Sequence, residues 1–203
     1  MEIYTVGHSN MTEEEFINLL KKHEINCIVD VRSFPKSKYV THFNRENISK
    51  YLKKNNIIYI YMGKELGARR DSPILYDDDG ILDFEKVKRT NLFLNGIERI
   101  KSGLKKGYQI ALMCSEKYPQ DCHRSLLIGK YLKDNDFNVK HIDENAEIKT
   151  QEDIEEILLD KHFPERNQMN LFKNKTEDEI EKIQKVYLLS NRKIGFKKTI
   201  ENE

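Results

Sequence analysis

The hydrophobic positions of the chain form short apolar runs that alternate with segments of helical period. Runs of four to seven mainly apolar residues, such as 25–31, are typical of strands that are covered on both faces. We predict five such strands, at residues 3–6, 25–31, 57–62, 108–114 and 137–143.

The segments between the runs place apolar residues on one face of a helix. Thr12 with Glu15 forms a capping-box pair at the start of the first helix, and Asp121 is a candidate cap for a later one. The predicted helices cover residues 12–23, 45–55, 83–107, 122–135 and 150–163.

Strands that alternate with helices predict a parallel sheet with right-handed crossovers. We therefore predict an α/β fold: a three-layer Rossmann-like domain, residues 1–163, with a mainly parallel sheet of about five strands and helices on both faces. Residues 164–203 are polar, with one amphipathic helix near 177–190, and are predicted to form a C-terminal helical appendage that docks on the domain.

Composition narrows the class of protein. The 203 residues carry a net charge of +1, so there is no global electrostatic attraction to nucleic acid or membrane. No apolar run approaches the roughly 18 residues needed to cross a bilayer, and the N-terminus lacks the pattern of a signal peptide. Three cysteines fit a reducing compartment better than a disulfide framework. We expect a cytoplasmic protein that does not bind a membrane.

The reactive side chains follow the predicted strands. Ligands of open α/β sheets bind outside the carboxyl ends of the strands, which lie along one edge. The candidates for chemistry there are His8, Cys114 and Glu116. The candidates for substrate binding are Ser9, Arg32, Ser33, Asn44, Gly67, Cys122, His123 and Arg124.

Each candidate has a structural alternative. Arg124 falls at the predicted start of a helix, where free N–H groups and a guanidinium favour an anion, but it can equally pair with a carboxylate such as Asp30. Glu116 and His8 suit acid–base chemistry, but they can also brace an arginine and bind a backbone carbonyl. Lys64, Arg69 and Arg70 add positive charge, and Tyr39, Phe43 and Tyr61 add aromatic rings.

The cysteines allow two further interpretations. Cys114 near an arginine and a helix start could be a nucleophile, but the ten residues to Arg124 leave no tight cradle, so we expect a buried packing residue. Cys114, Cys122, His123 and His8 could bind a metal ion. The spacing lacks a C-x-x-C pair, and adjacent Cys122 and His123 would point in different directions on a helix, so we expect no metal site.

Several segments also resemble a known family. TVGHSN, VDVRSFP, HFN, ELGARR, ALMCSEKYPQDCHRSLLI and V-x-HI, within residues 1–145, are similar to the family called domain of unknown function 488. The tail segments QMNLF and NRKIGF are similar to tails of that family. The resemblance implies an α/β fold and adds positions rather than a reaction.

These features favour an enzyme that acts on an anionic, nucleotide-like or nucleic-acid-derived substrate. The motifs G-x-x-x-x-G-K-[ST] and G-x-G-x-x-G are absent, which argues against an ATPase and against a dinucleotide enzyme. Two alternatives stay open: a non-catalytic nucleotide or nucleic-acid binding module, and a thiol-based sulfur-transfer or redox protein. The sequence identifies no cofactor.

Overall fold

The computed structural model describes residues 1–165 and 175–198. Its strands are β1 (Glu2–Gly7), β2 (Cys27–Asp30), β3 (Ile58–Tyr61), β4 (Ile110–Cys114), β5 (Asn138–Ile142) and β6 (Ile148–Thr150). Its helices are α1 (Glu13–Lys22), α2 (Arg45–Lys54), α3 (Gly63–Leu66), α4 (Phe84–Lys88), α5 (Asn91–Lys105), α6 (Lys130–Lys133), α7 (Gln151–His162) and α8 (Lys175–Ile194). The tail motif QMNLF lies outside the described residues.

The strands form one six-stranded sheet in the order β3-β2-β4-β1-β5-β6. The first five are parallel, and β6 pairs antiparallel with β5. The predicted α/β class and mainly parallel sheet are therefore confirmed. The sixth strand was not predicted, because three residues ending at Thr150 carry too short a pattern to separate a strand from a turn.

Alternate residues of the central strands supply two hydrophobic cores, one on each face of the sheet. On β4, Ala111 and Met113 pack with Phe16 of α1 and Leu52 of α2. The other face holds Ile110, Leu112 and Cys114 together with side chains of α5, α7 and α8, which include Ile97, Leu158 and Val186. Helices thus cover both faces, and Cys114 belongs to the face of α5 and α7.

The capping box of α1 is present: Thr12 Oγ1 accepts the Glu15 N–H at 3.2 Å, and the Glu15 carboxylate accepts the Thr12 N–H at 2.7 Å. The helix after β4 differs from the prediction. Pro119–Asp121 is a single 3₁₀ turn, and a π-helical segment, Arg124–Gly129, follows and continues into α6. Asp121 does not cap this segment. It pairs instead with Lys161 at 3.0 Å.

The C-terminal segment docks on the domain through buried polar contacts. Tyr187 of α8 bonds both Gln151 (2.8 Å) and Glu155 (3.0 Å) of α7. Asn191 accepts the Phe84 N–H and donates to the Leu82 carbonyl. The division at 163/164 stays a prediction, but these contacts fix where the tail crosses the domain.

Candidate functional site

The loops that follow β2 and β4 enclose a cleft of about 280 Å³ at the carboxyl edge of the sheet. They are neighbours because β2 pairs with β4, and the Val31 N–H continues this pairing to the Met113 carbonyl at 3.1 Å. The cleft is lined by Arg32, Ser33, Phe34, Ala68, Arg69, Cys114, Ser115, Glu116, Asp121, Cys122, His123, Ile194 and Phe196.

The floor of the cleft holds two thiols, an imidazole and a carboxylate. Glu116 Oε2 lies 2.7 Å from Cys114 Sγ and 3.2 Å from Cys122 Sγ. His123 Nδ1 lies 3.8 Å and 3.9 Å from the same two sulfur atoms. Cys114, Cys122 and His123 are buried. Glu116 is exposed as a residue, but its carboxylate contacts both thiols and is largely shielded from solvent. We call these residues the cysteine cluster.

This convergence removes the sequence argument against a shared site for Cys122 and His123. A regular helix through both residues would separate their side chains. In the structure Cys122 has an extended backbone after the Pro119–Asp121 turn, and His123 precedes the π-helical segment. Both side chains therefore reach Cys114. Within α-helices, π segments often occur at functional sites.

Arg124 holds the loop above the cluster. Its guanidinium donates to the carbonyl oxygens of Glu116 (2.6 Å) and Lys117 (3.0 Å), and the residue is 1% exposed. The role of Arg124 as a direct ligand for an anion stays a prediction; in the structure its side chain is buried and engaged with backbone groups. This arrangement also differs from the alternative pairing with Asp30, which binds Arg32 instead.

Gly7 permits this loop to lie against β1. A Cβ atom at Gly7 would lie 1.9 Å from the Glu116 carbonyl oxygen. Gly7 is paired with Cys114 across the sheet, and His8 N donates to the Cys114 carbonyl at 3.0 Å. The glycine of the GHS motif therefore sets the position of the cluster, although it supplies no reactive group.

The charges of the cluster act on one another. Burial, and after it the hydrogen bond with Cys122, raises the pKa of Cys114. Burial alone would raise the pKa of Cys122, but the hydrogen bond from Cys114 and the charge of Arg124 outweigh it and lower this pKa. Burial and the charge of Cys122 raise the pKa of Glu116. The positive charge of Arg124 thus favours a thiolate at Cys122.

His8 and Arg32 form a separate buried network. Arg32 binds Asp30 through Nε and Nη2 (2.9 and 2.7 Å), donates to the Phe43 carbonyl, and lies 2.9 Å from His8 Nε2. His8 also stacks on Phe43 with ring centroids 4.0 Å apart. Burial and the charge of Arg32 lower the pKa of His8 to about 4. His8 is 1% exposed and lies behind the cleft, which corrects its predicted place beside a substrate.

Of the remaining predicted substrate-binding residues, one lines the cleft and three do not. Ser33 lines the cleft and its hydroxyl accepts the Arg69 N–H at 3.0 Å. Gly67 packs directly on Ser33, since an added Cβ would lie 2.4 Å from its hydroxyl oxygen. Asn44 accepts the Ser37 N–H and so braces the loop after β2. Ser9 adopts a positive φ of 47° and binds the Ser115 carbonyl through its backbone, outside the cleft lining.

The sequence did not assign the outer wall of the cleft. Arg69 was predicted in a basic cluster around the site that could hold a phosphate, with a solvated loop as the alternative. Its Cζ lies 5.3 Å from the centroid of the Phe34 ring and 4.6 Å from that of Phe196. Phe34 is 71% exposed. Phe196 comes from the tail motif NRKIGF, so the C-terminal segment contributes to the cleft. In the sequence, Phe34 and Phe196 were noted only within the DVRSFP and NRKIGF segments that resemble the family.

Comparison with protein families identifies the family to which the chain belongs. A family model, the domain of unknown function DUF488, matches residues 12–131. The chain belongs to this family. The DUF488 match contains the whole cysteine cluster and Arg69, and it leaves His8 and Phe196 outside its bounds. No curated protein and no solved structure shows significant similarity to the chain.

Within residues 1–165 and 175–198, no helix has both the length and the apolar character required to cross a membrane.

Proposed function

We propose that this DUF488 protein is an enzyme that acts on an anionic, nucleotide-like or nucleic-acid-derived substrate in the cleft. One observation carries the proposal: a buried cluster of reactive groups forms the floor of a cleft whose wall presents an exposed arginine in contact with two aromatic rings. Reactive groups and a charge-binding group thus face the same enclosed space.

Arg69 is the group that binds the anion in this proposal. The rings of Phe34 and Phe196 position its guanidinium at the cleft. A guanidinium binds a phosphate or carboxylate in a bidentate manner. Arg32 and Arg124 act indirectly, because their guanidinium groups hold the loops after β2 and β4 in place.

The aromatic side chains favour a nucleotide over a simple anion. Phe34 and Tyr39 are exposed on the loop after β2, which also carries exposed Lys36 and Lys38. Exposed rings among basic residues are typical of surfaces on which nucleobases stack. The base would lie on the rim and the phosphate against Arg69, with the reacting bond towards Glu116.

Glu116 is the group that would transfer a proton. Its carboxylate touches both thiols and faces the cleft, which places it within reach of a bound substrate. Cys114 and Cys122 shape the floor beneath it. As part of the same proposal the protein is cytoplasmic, since its free cysteines are compatible with a reducing compartment.

The test of binding uses calorimetry with nucleoside mono-, di- and triphosphates, short single-stranded oligonucleotides and inorganic phosphate. Arg69→Ala should weaken binding of the phosphate-bearing ligands by roughly 10- to 100-fold, the value of a charge-assisted hydrogen bond. Arg89→Ala is the matched control, because Arg89 is exposed at the end of α4 and does not line the cleft. Equal affinity of Arg69→Ala and wild type would contradict the proposal.

Turnover is tested by chromatography of each ligand that binds. Glu116→Gln should keep binding and lose most of the turnover, because the amide cannot exchange a proton. If ligands bind but no product forms with wild type, the protein is a non-catalytic nucleotide or nucleic-acid binding module. In that case affinity for generic nucleic acid should fall steeply with salt.

A second candidate is thiol chemistry, which the closeness of Cys114, Cys122 and Glu116 favours. A sulfur-transfer protein carries the transferred sulfur as a persulfide on one cysteine. If this function is correct, a thiolate of the pair attacks the sulfane sulfur of thiosulfate and releases sulfite. Mass spectrometry of the protein after incubation with thiosulfate would then show a persulfide on Cys122 or Cys114. An unmodified pair of thiols would exclude it.

A further inference from the structure

The cysteine cluster has the composition and size of a metal site. The donor atoms of Cys114, Glu116, Cys122 and His123 all lie within 4.8 Å of one another. Zinc binds sulfur at about 2.3 Å and nitrogen or oxygen at about 2.0–2.2 Å, which places neighbouring ligands of a tetrahedron roughly 3.3–3.8 Å apart. The contacts of 3.2, 3.8 and 3.9 Å within the cluster fall close to this range. A small shift of the Glu116 carboxylate away from Cys114 brings their contact of 2.7 Å into it.

The orientation of His123 is that of a ligand. Its Nε2 lies 3.1 Å from the Val31 carbonyl oxygen, which can only accept a hydrogen bond. Nε2 therefore carries a proton, and Nδ1 faces the two sulfur atoms, to which the neutral ring presents a lone pair. Metal-binding histidines usually donate their second N–H to a carbonyl or carboxylate in this way, which fixes both ring and tautomer.

The backbone and the charge around Cys122 favour a thiolate at its sulfur atom. The Arg124 N–H points at Cys122 Sγ with a distance of 3.5 Å. The Arg124 guanidinium is buried and donates to the neutral carbonyl groups of Glu116 and Lys117. A buried cation is stable only near a compensating negative charge. Two thiolates, a carboxylate and a divalent ion sum to −1, which matches Arg124.

We propose that Cys114, Cys122 and His123 bind a divalent, thiolate-preferring metal ion, with zinc as the expected ion and Glu116 as the fourth ligand on the cleft side. Thiolate and imidazole ligands select zinc over magnesium or calcium, which prefer oxygen. The three buried residues hold the ion. Glu116 is the exposed ligand, so water or a substrate oxygen can take its place at the metal.

This site would place a Lewis acid at the floor of the cleft. Sites with two cysteines, one histidine and one exchangeable position occur among catalytic zinc centres, whereas structural sites are closed by four protein ligands. The chemical class that suits such a centre is hydrolysis, in which the metal lowers the pKa of a bound water. Metal binding itself does not depend on the proposed substrate, because it is measured without one.

The test is metal binding by the full chain without a histidine tag. The metal-free protein is titrated with Zn²⁺ against a competing chelator, and with Co²⁺ while its absorption spectrum is recorded. Wild type should bind one ion per chain, and the cobalt protein should show thiolate-to-metal charge transfer and the visible bands of tetrahedral coordination. The alanine substitutions Cys114→Ala and Cys122→Ala should each weaken Zn²⁺ binding by more than the roughly 10- to 100-fold that loss of an outer partner costs.

Two further variants distinguish the loss of a metal ligand from a general effect of substitution on folding. Cys27→Ala removes the third cysteine, which is buried in β2 outside the cluster, and should leave Zn²⁺ affinity unchanged. Glu116→Gln changes an exposed residue and should keep the ion but alter the cobalt spectrum. An ion that binds wild type and Cys114→Ala/Cys122→Ala equally, or a cobalt spectrum without thiolate charge transfer, would overturn the proposal. Metal binding without turnover of any nucleotide would leave this site in place and remove only the proposed function.

Discussion

His123 Nε2 lies 3.1 Å from the carbonyl oxygen of Val31, so the residue after β2 orients an imidazole that follows β4. This contact exists because β2 and β4 are neighbours in the sheet although about 80 residues separate them in the chain. The order of the strands in the sheet therefore brings the loops after β2 and β4 together to form the site.

The Gly7→Ala substitution should displace the loop above the cluster. Its Cβ would meet the Glu116 carbonyl oxygen, so either β1 or the loop must move, at a cost of roughly 1–3 kcal/mol in the free energy of unfolding. Urea denaturation measures the cost. Gly103→Ala, in the last turn of α5, is the control, since its Cβ meets only the flexible end of Ile110 and alanine favours a helix. Equal stability of the two variants would contradict this role of Gly7.

The Arg124→Lys substitution should lower the stability of the protein, because Arg124 holds the backbone of the loop after β4. Lysine cannot span the carbonyl groups of Glu116 and Lys117 together, so the free energy of unfolding should fall by roughly 1.5–3 kcal/mol. Arg69→Lys should leave it unchanged, because Arg69 is exposed. Denaturation of both variants gives the comparison. If Arg124→Lys is as stable as wild type but binds phosphate-bearing ligands weakly, Arg124 is a direct ligand after all.

The protein should lose stability in mild acid. Burial holds the pKa of His8 at about 4, and burial with the charge of Arg124 holds that of His141 at about 3, against an ordinary value of 6.5. The unfolded chain therefore binds more protons than the native protein between about pH 6.5 and pH 4. Stability contributed by the two neutral rings is complete above about pH 6.5 and falls on acidification, by at most about 1.4 kcal/mol per pH unit for each ring.

Urea denaturation between pH 7 and pH 5 measures this slope. His141→Asn should be less stable at every pH, because Thr5 and Gln151 lose a partner, but its slope should be smaller by about one proton. Stability that increases as the pH falls below 6.5 would show that these rings are charged in the native protein.

The division at residue 163 predicts that a chain ending near Lys161 still unfolds cooperatively. Its stability should be lower, because Val186 and Tyr187 of α8 are buried in the core shared with α7. Tyr187→Phe in the full chain is a milder change for comparison. It should lower the free energy of unfolding by about 1 kcal/mol, because the hydrogen bonds of the Tyr187 hydroxyl with Gln151 and Glu155 are lost. Complete loss of cooperative unfolding would show that the tail is integral to the fold.

The fold could be predicted from the sequence because its elements have strong local patterns. The run ending at Cys114 and the capping box of Thr12 and Glu15 need no tertiary information. The placement of reactive residues at strand ends follows from the rule for parallel sheets, and it located Cys114, Glu116, Cys122 and His123 together.

The detailed geometry of the site depends on tertiary contacts, which no local sequence pattern predicts. Whether Cys122 and His123 share one target depends on the Pro119–Asp121 turn and the π-helical segment after it. Arg32 and Arg124 were predicted at the site, but only the structure shows that Asp30 and the backbone occupy their guanidinium groups. Phe196 reaches the cleft because Asn191 anchors the end of α8 at Leu82 and Phe84.

X-ray absorption at the zinc edge, on protein loaded with one equivalent of Zn²⁺, tests the cysteine cluster most directly. Two sulfur ligands at about 2.3 Å and nitrogen or oxygen ligands at about 2.0–2.2 Å are expected from Cys114, Cys122, His123 and Glu116. The sulfur contribution should fall to one ligand in Cys122→Ala. A shell of nitrogen and oxygen alone in the wild-type protein would contradict a metal site at these thiols.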